Sequence, residues 1–323
     1  MKKIFLTGGS GFLGRHILYQ LSIQDYNITA IKRKKSDLSL IKNLFLINNQ
    51  EHKFKKIKWI NCDITDLFNL DKLISKNDIV IHCAGYISFE NRKKNQIFDI
   101  NYFATKNLVN ICLKKQISKF CYVSSIATLF NKKNFITNEK SWFSNSNTKS
   151  YYAKSKYLGE MEVWRGFAEG LNGFIINPSL VIGPGDKNSL FGKMISKLKK
   201  RTLFYPGGGT GFVDVRDVSS VMIKLINKKV NHERYIINSQ NLSFKELLTI
   251  YAKRVKGPIP SIKINNNIIK TAVLLSKIFN PYNNLSFSMV DFFKTKSRYS
   301  NLKIKKELNY KFISVQKSIS DII

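Results

Sequence analysis

The stretch TGGSGFLG, Thr7 to Gly14, decides the fold. A short apolar strand candidate, KIFLT, leads into it, and FLGRHILYQLS continues from it with a helical pattern. Gly8, Gly11 and Gly14 give G-x-x-G-x-x-G, while Gly9, Gly11 and Gly14 also satisfy G-x-G-x-x-G. Glycines so spaced permit a tight turn and let backbone N–H groups approach a pyrophosphate. They also let the helix pack closely on the strand, with its N-terminus facing the anion. Strand, loop and helix fall where a dinucleotide-binding turn needs them, so the loop is read as a cofactor site and not as a bare turn.

Outward from that loop, strand candidates alternate with helical patterns. NITAIK, KIKWINC, DIVIHC and KFCYVSS follow in turn, with a long helical pattern from about Asn95 to Lys115 before the last of them. GFIINPS, near Gly173 to Ser179, reads as a sixth strand. The rhythm predicts an α/β fold, a doubly wound parallel sheet with helices on both faces. After Pro178 the pattern loosens into VIGPGD and YPGGGTG, and helices then dominate. The expected organisation is a dinucleotide-binding domain over 1–178, with a return segment at about 212–238, and a smaller, mostly helical substrate-binding portion over 179–323. The lysine- and asparagine-rich stretch from Lys34 to Lys56 reads as a solvated loop insertion.

Composition narrows the class. A chain of 323 residues with 43% hydrophobic content buries a substantial core. MKKIFL breaks into TGGSG too soon for a signal peptide. The segment IIKTAVLLSKIF, Ile268 to Phe279, is interrupted by Lys270 and Lys277 and falls short of the roughly 20 residues of a spanning helix, so it reads as a covering helix. Cys62, Cys83, Cys112 and Cys121 lack CxxC spacing and suit reduced, buried thiols, which points to the cytoplasm. No Cys/His spacing supports a metal site. The formal charge of +33 raises the question of nucleic acid. Its lysines are spread along the whole chain, however, and the Asn, Ile and Phe content matches compositional drift, so no specific nucleic-acid partner is expected.

The second strand ends at Lys32 and Arg33, with no carboxylate before Asp37. An acidic side chain there would meet a ribose 2′-hydroxyl, whereas Arg33 offers a planar fork of donors to a 2′-phosphate. NADP(H) is therefore favoured over NAD(H).

Several further motifs together resemble the extended branch of the short-chain dehydrogenase/reductase superfamily, the NAD-dependent epimerase/dehydratase group. They are NCDITD at 61–66, HCAG at 82–85, DINYFATKNL at 99–108, YVSSIAT at 122–128, YAKSK at 152–156, NPSLVIGPGD at 177–186 and FVDVRDV at 212–218. The resemblance covers nearly the whole chain. It implies a cofactor site made by Thr7, Gly8, Gly11, Phe12, Leu13, Gly14, Arg33, Asp63, Ile64, Cys83, Ala84, Gly85, Tyr152, Lys156 and Pro178. Asp63 would accept from the adenine amino group, with Ile64 against the ring, and Ser179 and Leu180 would lie with Pro178 beside the carboxamide. His82 and Asn101 would order the loops beside the cofactor.

SYYAKSK, Ser150 to Lys156, contains two Tyr/Lys pairs that each fit one helical face, Tyr151 with Lys154 and Tyr152 with Lys156. The family pattern Tyr-x-x-x-Lys selects Tyr152 and Lys156. An unperturbed phenol, pKa about 10, is a poor proton shuttle at neutral pH, and a nearby ammonium favours its ionised form. Lys156 is expected to play that part while holding the nicotinamide ribose. Of the two serines that end KFCYVSS, alignment with the family makes Ser125 the catalytic hydroxyl and Ser124 the structural one; a register slip would exchange them.

The branch includes ketone, aldehyde and hydroxysteroid oxidoreductases alongside nucleotide-sugar epimerases and dehydratases. The latter usually carry Arg-Asp where this chain has Thr210 and Gly211, and commonly Arg-Pro where it has Asn177-Pro178. Phe287, Phe292 and Phe293 would suit an apolar substrate, although such aromatics are more often core. The expectation is a dihydroflavonol-reductase-like or hydroxysteroid-dehydrogenase-like enzyme acting on a small carbonyl or alcohol, with a homodimer allowed. The alternative is a nucleotide-sugar epimerase or dehydratase. A distant third is a non-catalytic dinucleotide-sensing or nucleic-acid-binding protein.

Overall fold

The computed structural model describes residues 2–88, 90–129, 135–143, 150–185, 203–265 and 287–322. Their strands, in chain order, are β1 (Lys3–Thr7), β2 (Asn27–Lys32), β3 (Lys58–Asn61), β4 (Ile79–His82), β5 (Lys119–Val123), β6 (Ile136–Thr137), β7 (Gly173–Pro178), β8 (Leu180–Ile182), β9 (Phe204–Tyr205), β10 (Gly209–Asp214), β11 (Glu233–Ile237), β12 (Gln240–Ser243), β13 (Ile262–Lys263) and β14 (Arg298–Tyr299). Seven of them form one sheet in the order β11-β7-β5-β4-β1-β2-β3, parallel at every pairing. This is the doubly wound α/β architecture.

Both faces of that sheet are covered, so its strands are apolar on both sides and alternate between two cores. Ile4, Leu6, Ile79, Ile81, Cys121, Phe174 and Ile176 belong to one, with Ile17, Leu18 and Val221 from helices Phe12–Ile23 and Val215–Ile226. Phe5, Val80, Phe120, Tyr122 and Ile175 belong to the other, with Leu108 and Val163 from helices Ala104–Lys115 and Tyr151–Ala168. The strand order reverses at β1, which lies between β2 and β4, and ligands of such sheets bind outside the carboxyl ends at that point. Thr7 and His82 pair there.

The return segment enters the main sheet through β11, which pairs with β7 at the edge. Its earlier strand, β10, instead joins β8 and β12 in a second sheet. The helical pattern of Asn95–Lys115 is realised in three joined parts, Lys94–Phe98, a π-helical turn at Asp99–Phe103, and Ala104–Lys115.

Residues 34–56 correct the sequence reading. They contain helices Ser39–Leu46 and Glu51–Lys55 instead of a solvated loop. Ile41 and Phe45, one turn apart, are both completely buried in the first core. The surrounding lysines and asparagines mask that i, i+4 pair.

Phe292 and Phe293 pack their rings 5.5 and 5.2 Å from Phe244, in a separate cluster with Phe212 and Leu247. Both are half-buried against that cluster, so part of each ring is already taken up by core packing. The covering helix expected at Ile268–Phe279 lies outside the described residues. Among those described, no helix is long and apolar enough to cross a membrane.

Candidate active site

The glycine loop is built as its spacing requires. Gly8 has φ +73°, and a Cβ there would fall 2.5 Å from the Ala84 backbone nitrogen. Gly14 brings the helix onto the loop so closely that a Cβ would fall 2.0 Å from the Gly8 carbonyl oxygen. Gly11 donates its N–H to the same carbonyl at 3.0 Å and caps the Phe12–Ile23 helix without any side-chain hydrogen bond. Phe12 and Leu13 are half-buried, and the first helical turn holds no acidic side chain. An uncapped, backbone-lined helix N-terminus of this kind receives a pyrophosphate well.

Behind the loop runs a directed chain of hydrogen bonds. Thr105 Oγ1 donates to the Asn101 carbonyl at 2.9 Å, which leaves its lone pair for His82 Nε2–H, also at 2.9 Å. The other ring nitrogen, Nδ1, then accepts from Thr7 Oγ1 at 2.8 Å, and Thr7 Oγ1 accepts from the Ala84 N–H at 3.2 Å. Burial, aided by the Lys156 charge, pulls the His82 pKa down to about 3. His82 is thus a neutral strut that fixes Cys83, Ala84 and Gly85 opposite Gly8. Burial pushes the Cys83 thiol up to about 12. Asn101, on the π-helical turn, clasps the Tyr86 backbone through both amide atoms, at 2.8 and 2.9 Å, and donates to Ser155 Oγ at 3.0 Å.

The outer cofactor candidates are placed as follows. Arg33 is exposed just past β2, where its backbone carbonyl accepts from Ser36 N–H. Lys32 is tied to Asn61 at 2.7 Å. Asp63 is exposed after β3 and accepts from Thr65 N–H and Oγ1, while Ile64 beside it is buried. Asp66, not Asp63, caps the following helix, accepting from Asn69 N–H at 3.1 Å. Pro178 is buried at the end of β7, and the next residue, Ser179, has a buried Oγ without a hydrogen-bond partner among the described residues. An orphaned buried hydroxyl there fits a ligand carboxamide. The residues present fit a nicotinamide dinucleotide.

The Tyr151–Ala168 helix starts at Ser150, whose side chain accepts from Ala153 N–H. It brings Tyr152 and Lys156 to the carboxyl end of β5. Tyr152 is half-buried; burial raises its pKa, and the neighbouring Ser125 hydroxyl offsets part of the rise. Lys156 is buried, and burial lowers its pKa to about 8 against the opposing pull of Cys83 and Glu160. Its ammonium donates to Tyr122 Oη and to the Val123 carbonyl, both at 2.8 Å. The expected direct influence of Lys156 on the Tyr152 phenol is therefore not what the geometry displays. Strand β5 ends where it captures the ammonium from below, and Tyr152 is left to Ser125. Tyr151 sits on a different face, with Lys94 Nζ 5.2 Å from its ring, and Lys154 is exposed.

The two serines part as the chain leaves β5. Ser124 is buried and donates to Glu160 Oε2 at 2.5 Å. Ser125 is half-buried, and its Oγ accepts from Ala127 N–H at 3.1 Å to start the 3-10 turn Ile126–Thr128.

In the second portion, Thr210 is buried, and a Cβ on Gly211 would fall 2.3 Å from Asn238 Oδ1. Arg216 forms paired hydrogen bonds with Asp214 at 2.9 and 2.7 Å and also meets Asp321 at 2.7 Å.

The model of the NAD dependent epimerase/dehydratase family matches residues 4–238, across the glycine loop, the Tyr152 helix and β11. The chain belongs to that family. It is an NAD(P)-dependent enzyme of the extended short-chain dehydrogenase/reductase type. Among relatives, tetraketide alpha-pyrone reductase 1 of Arabidopsis thaliana is 25% identical over 80% of this chain and 83% of its own length. Sterol-4-alpha-carboxylate 3-dehydrogenase, decarboxylating, of Dictyostelium discoideum is 24% identical over 86% of this chain and 83% of its own. The solved UDP-glucuronic acid 4-epimerase of Bacillus cereus in complex with NAD superposes with a TM-score of 0.75 at 18% identity, covering 99% of this chain and 94% of that one. At that identity the likeness shows the fold alone.

Residues that the motifs do not single out complete the site. Tyr122 and Thr105 underlie Lys156 and His82, and Glu160, Asn177 and Arg234 lie beneath the serines. Glu160 carries the one visible signal, a carboxylate one turn beyond Lys156 on a face that must be buried.

Proposed function

We propose that this protein is an NADP(H)-dependent oxidoreductase that interconverts a small ketone or aldehyde and its alcohol. The observation that carries the reading is the gathering, at the carboxyl end of β5, of the half-buried Ser125 and Tyr152 hydroxyls and the buried Lys156 ammonium. The bound nicotinamide supplies the hydride. Gly8, Gly11 and the helix start at Phe12 would hold the pyrophosphate, with Asp63 and Ile64 at the adenine and Arg33 at a 2′-phosphate. Lys156 keeps one N–H beyond its bonds to Tyr122 and Val123, and this donor would serve the ribose. Pro178 and Ser179 would hold the carboxamide.

In the reducing direction Tyr152 Oη gives its proton to the substrate oxygen as the carbonyl carbon is reduced. Ser125 Oγ donates its hydrogen bond to that same oxygen, and the new alcohol O–H donates to the phenolate that remains. Lys156 acts on the cofactor side through its ribose donor, and the proton returns to Tyr152 from solvent. In the oxidising direction each transfer runs backward.

The division of labour we propose places the cofactor on residues 1–178 and the 212–238 return, and the substrate on the remainder. Nucleotide-sugar epimerisation is the second reading, since family members of that kind share this fold. Thr210 and Gly211 speak against it: both positions are buried, neither is cationic, and Arg216 is committed to Asp214 and Asp321. The four thiols are free, consistent with a reducing, cytoplasmic setting. A homodimer remains compatible with the reading.

The test is a screen of carbonyl compounds and nucleotide sugars against the protein with NADPH, following its absorbance. Net oxidation of NADPH by a ketone or aldehyde is expected. Conversion of a nucleotide sugar with no net cofactor consumption would overturn the reading.

A further inference from the structure

Glu160 is 1% exposed, yet its carboxylate gathers donors from four separate parts of the chain. Oε2 accepts from Ser124 Oγ at 2.5 Å, Thr128 Oγ1 at 2.8 Å and Asn177 Nδ2 at 2.9 Å. Oε1 accepts from Arg234 Nη1 at 3.0 Å and Trp164 Nε1 at 3.4 Å. Arg234 is itself 4% exposed; its Nε donates to the Glu139 carbonyl at 2.7 Å and its Nη2 to the Ser141 carbonyl at 2.6 Å. Its guanidinium also lies 4.6 Å from the Trp142 ring.

Two of these partners act on the Ser125 backbone directly. Thr128 Oγ1 lies 2.9 Å from the Ser125 carbonyl, so its single hydrogen is shared between that carbonyl and Glu160 Oε2, and Asn177 Nδ2 donates to the same carbonyl at 3.1 Å. On the helix, Glu160 is one turn past Lys156 and two past Tyr152, so all three share a face. The carboxylate therefore joins the two elements that carry Ser125 and Tyr152.

Burying an ion pair does not by itself stabilise a fold, because desolvation opposes the attraction. A pair kept at this place calls for another benefit, and geometry supplies it. We propose that Glu160 and Arg234 are positioning residues: they hold the turn bearing Ser125 at fixed distance from the helix bearing Tyr152 and Lys156, and clamp segment 139–142 across both. The inference rests on the oxidoreductase reading for its kinetic consequence, but its structural half does not.

The pair also sets part of the field at Lys156. The groups facing that ammonium are Tyr122 and Val123 O from β5, His82 and Cys83 from the end of β4, and Glu160 from its own helix. Of these Glu160 brings the negative charge, so its removal makes the ammonium easier to deprotonate.

The experiment compares Glu160→Gln, Thr128→Val and Thr128→Ser in the full chain with the carbonyl substrate from the screen. It adds amide hydrogen exchange at residues 127–129 without substrate. Glu160→Gln is expected to lower kcat by about 10–100-fold, in keeping with a sub-ångström misplacement, while KM for NADPH changes less than about threefold. The alkaline limb of its pH profile should move to lower pH, and exchange at 127–129 should accelerate by about tenfold. Thr128→Val, which removes one bridging hydroxyl without leaving Arg234 unpaired, should lower kcat by about five- to twentyfold, and Thr128→Ser should restore it to within about twofold. If Glu160→Gln does not fold, Thr128→Val decides. Wild-type-like kcat and unchanged exchange in Thr128→Val would overturn the proposal. A wild-type protein that turns over no carbonyl would defeat the functional reading alone, since the exchange measurement still reports on the clamp.

Discussion

Lys156 Nζ stands 2.8 Å from the hydroxyl of Tyr122, a strand residue, and its second hydrogen bond goes to a strand carbonyl. The ammonium is therefore anchored to the sheet, and the helix is fixed in rotation by it. Close approach makes this possible: a Cβ on Gly159 would fall 2.9 Å from the same Tyr122 hydroxyl.

Because burial lowers the Lys156 pKa to about 8, its charge is lost at a pH where an ordinary lysine keeps it. Below about pH 8 the ammonium is present; above it the neutral amine predominates. The kcat/KM profile between pH 6 and 10 should accordingly bend downward near pH 8. Lys156→Arg, which stays charged throughout, should lack that bend even if its overall rate is reduced. A profile flat to pH 10 in the unaltered enzyme would contradict the assignment.

Tyr152→Phe removes the proton donor and leaves the ring. We expect kcat/KM for the carbonyl substrate to fall by about 10² to 10⁴. Affinity for NADPH, followed by fluorescence titration, should change little. Retention of most of the activity would transfer the proton step to another group.

Arg33→Asp tests the cofactor preference. The guanidinium is exposed beyond β2 and should pair with a 2′-phosphate, where a carboxylate would repel it and accept from a 2′-hydroxyl instead. Its Kd for NADPH should rise by tenfold or more, roughly 1.4 kcal/mol, with that for NADH unchanged or lower. Equal weakening for both cofactors would refute the assignment.

Phe45→Ala probes the stretch after β2. A fully buried aromatic replaced by alanine loses about 3–5 kcal/mol of stability. Chemical denaturation should show a loss of that order, whereas a solvated insertion would tolerate the change within about 0.5 kcal/mol.

The sequence carries the glycine loop and the Tyr152–Lys156 pair openly because each is a local pattern whose spacing is its geometry. β1 and β2 likewise match their apolar runs residue for residue. The partners under the site are legible only in part, since they meet through the sheet: Arg234 and Glu160 are separated by 74 positions. The same limitation hides Tyr122, whose place in an apolar strand gives no sign that its hydroxyl faces an ammonium. Ile41 and Phe45 show the opposite failure, a local signal diluted by the lysines and asparagines around it.

The edge strand β11 has one more implication, for synthesis. The ribosome must release residues up to Ile237 before the main sheet can close, so for some sixty residues after Pro178 has emerged, the outer edge of β7 waits unpaired. An unmatched apolar edge on a nascent chain invites association with its neighbours. Production of this enzyme should therefore respond to slower translation or added chaperone more than its finished stability would suggest, and fragments ending before residue 233 should accumulate as aggregates.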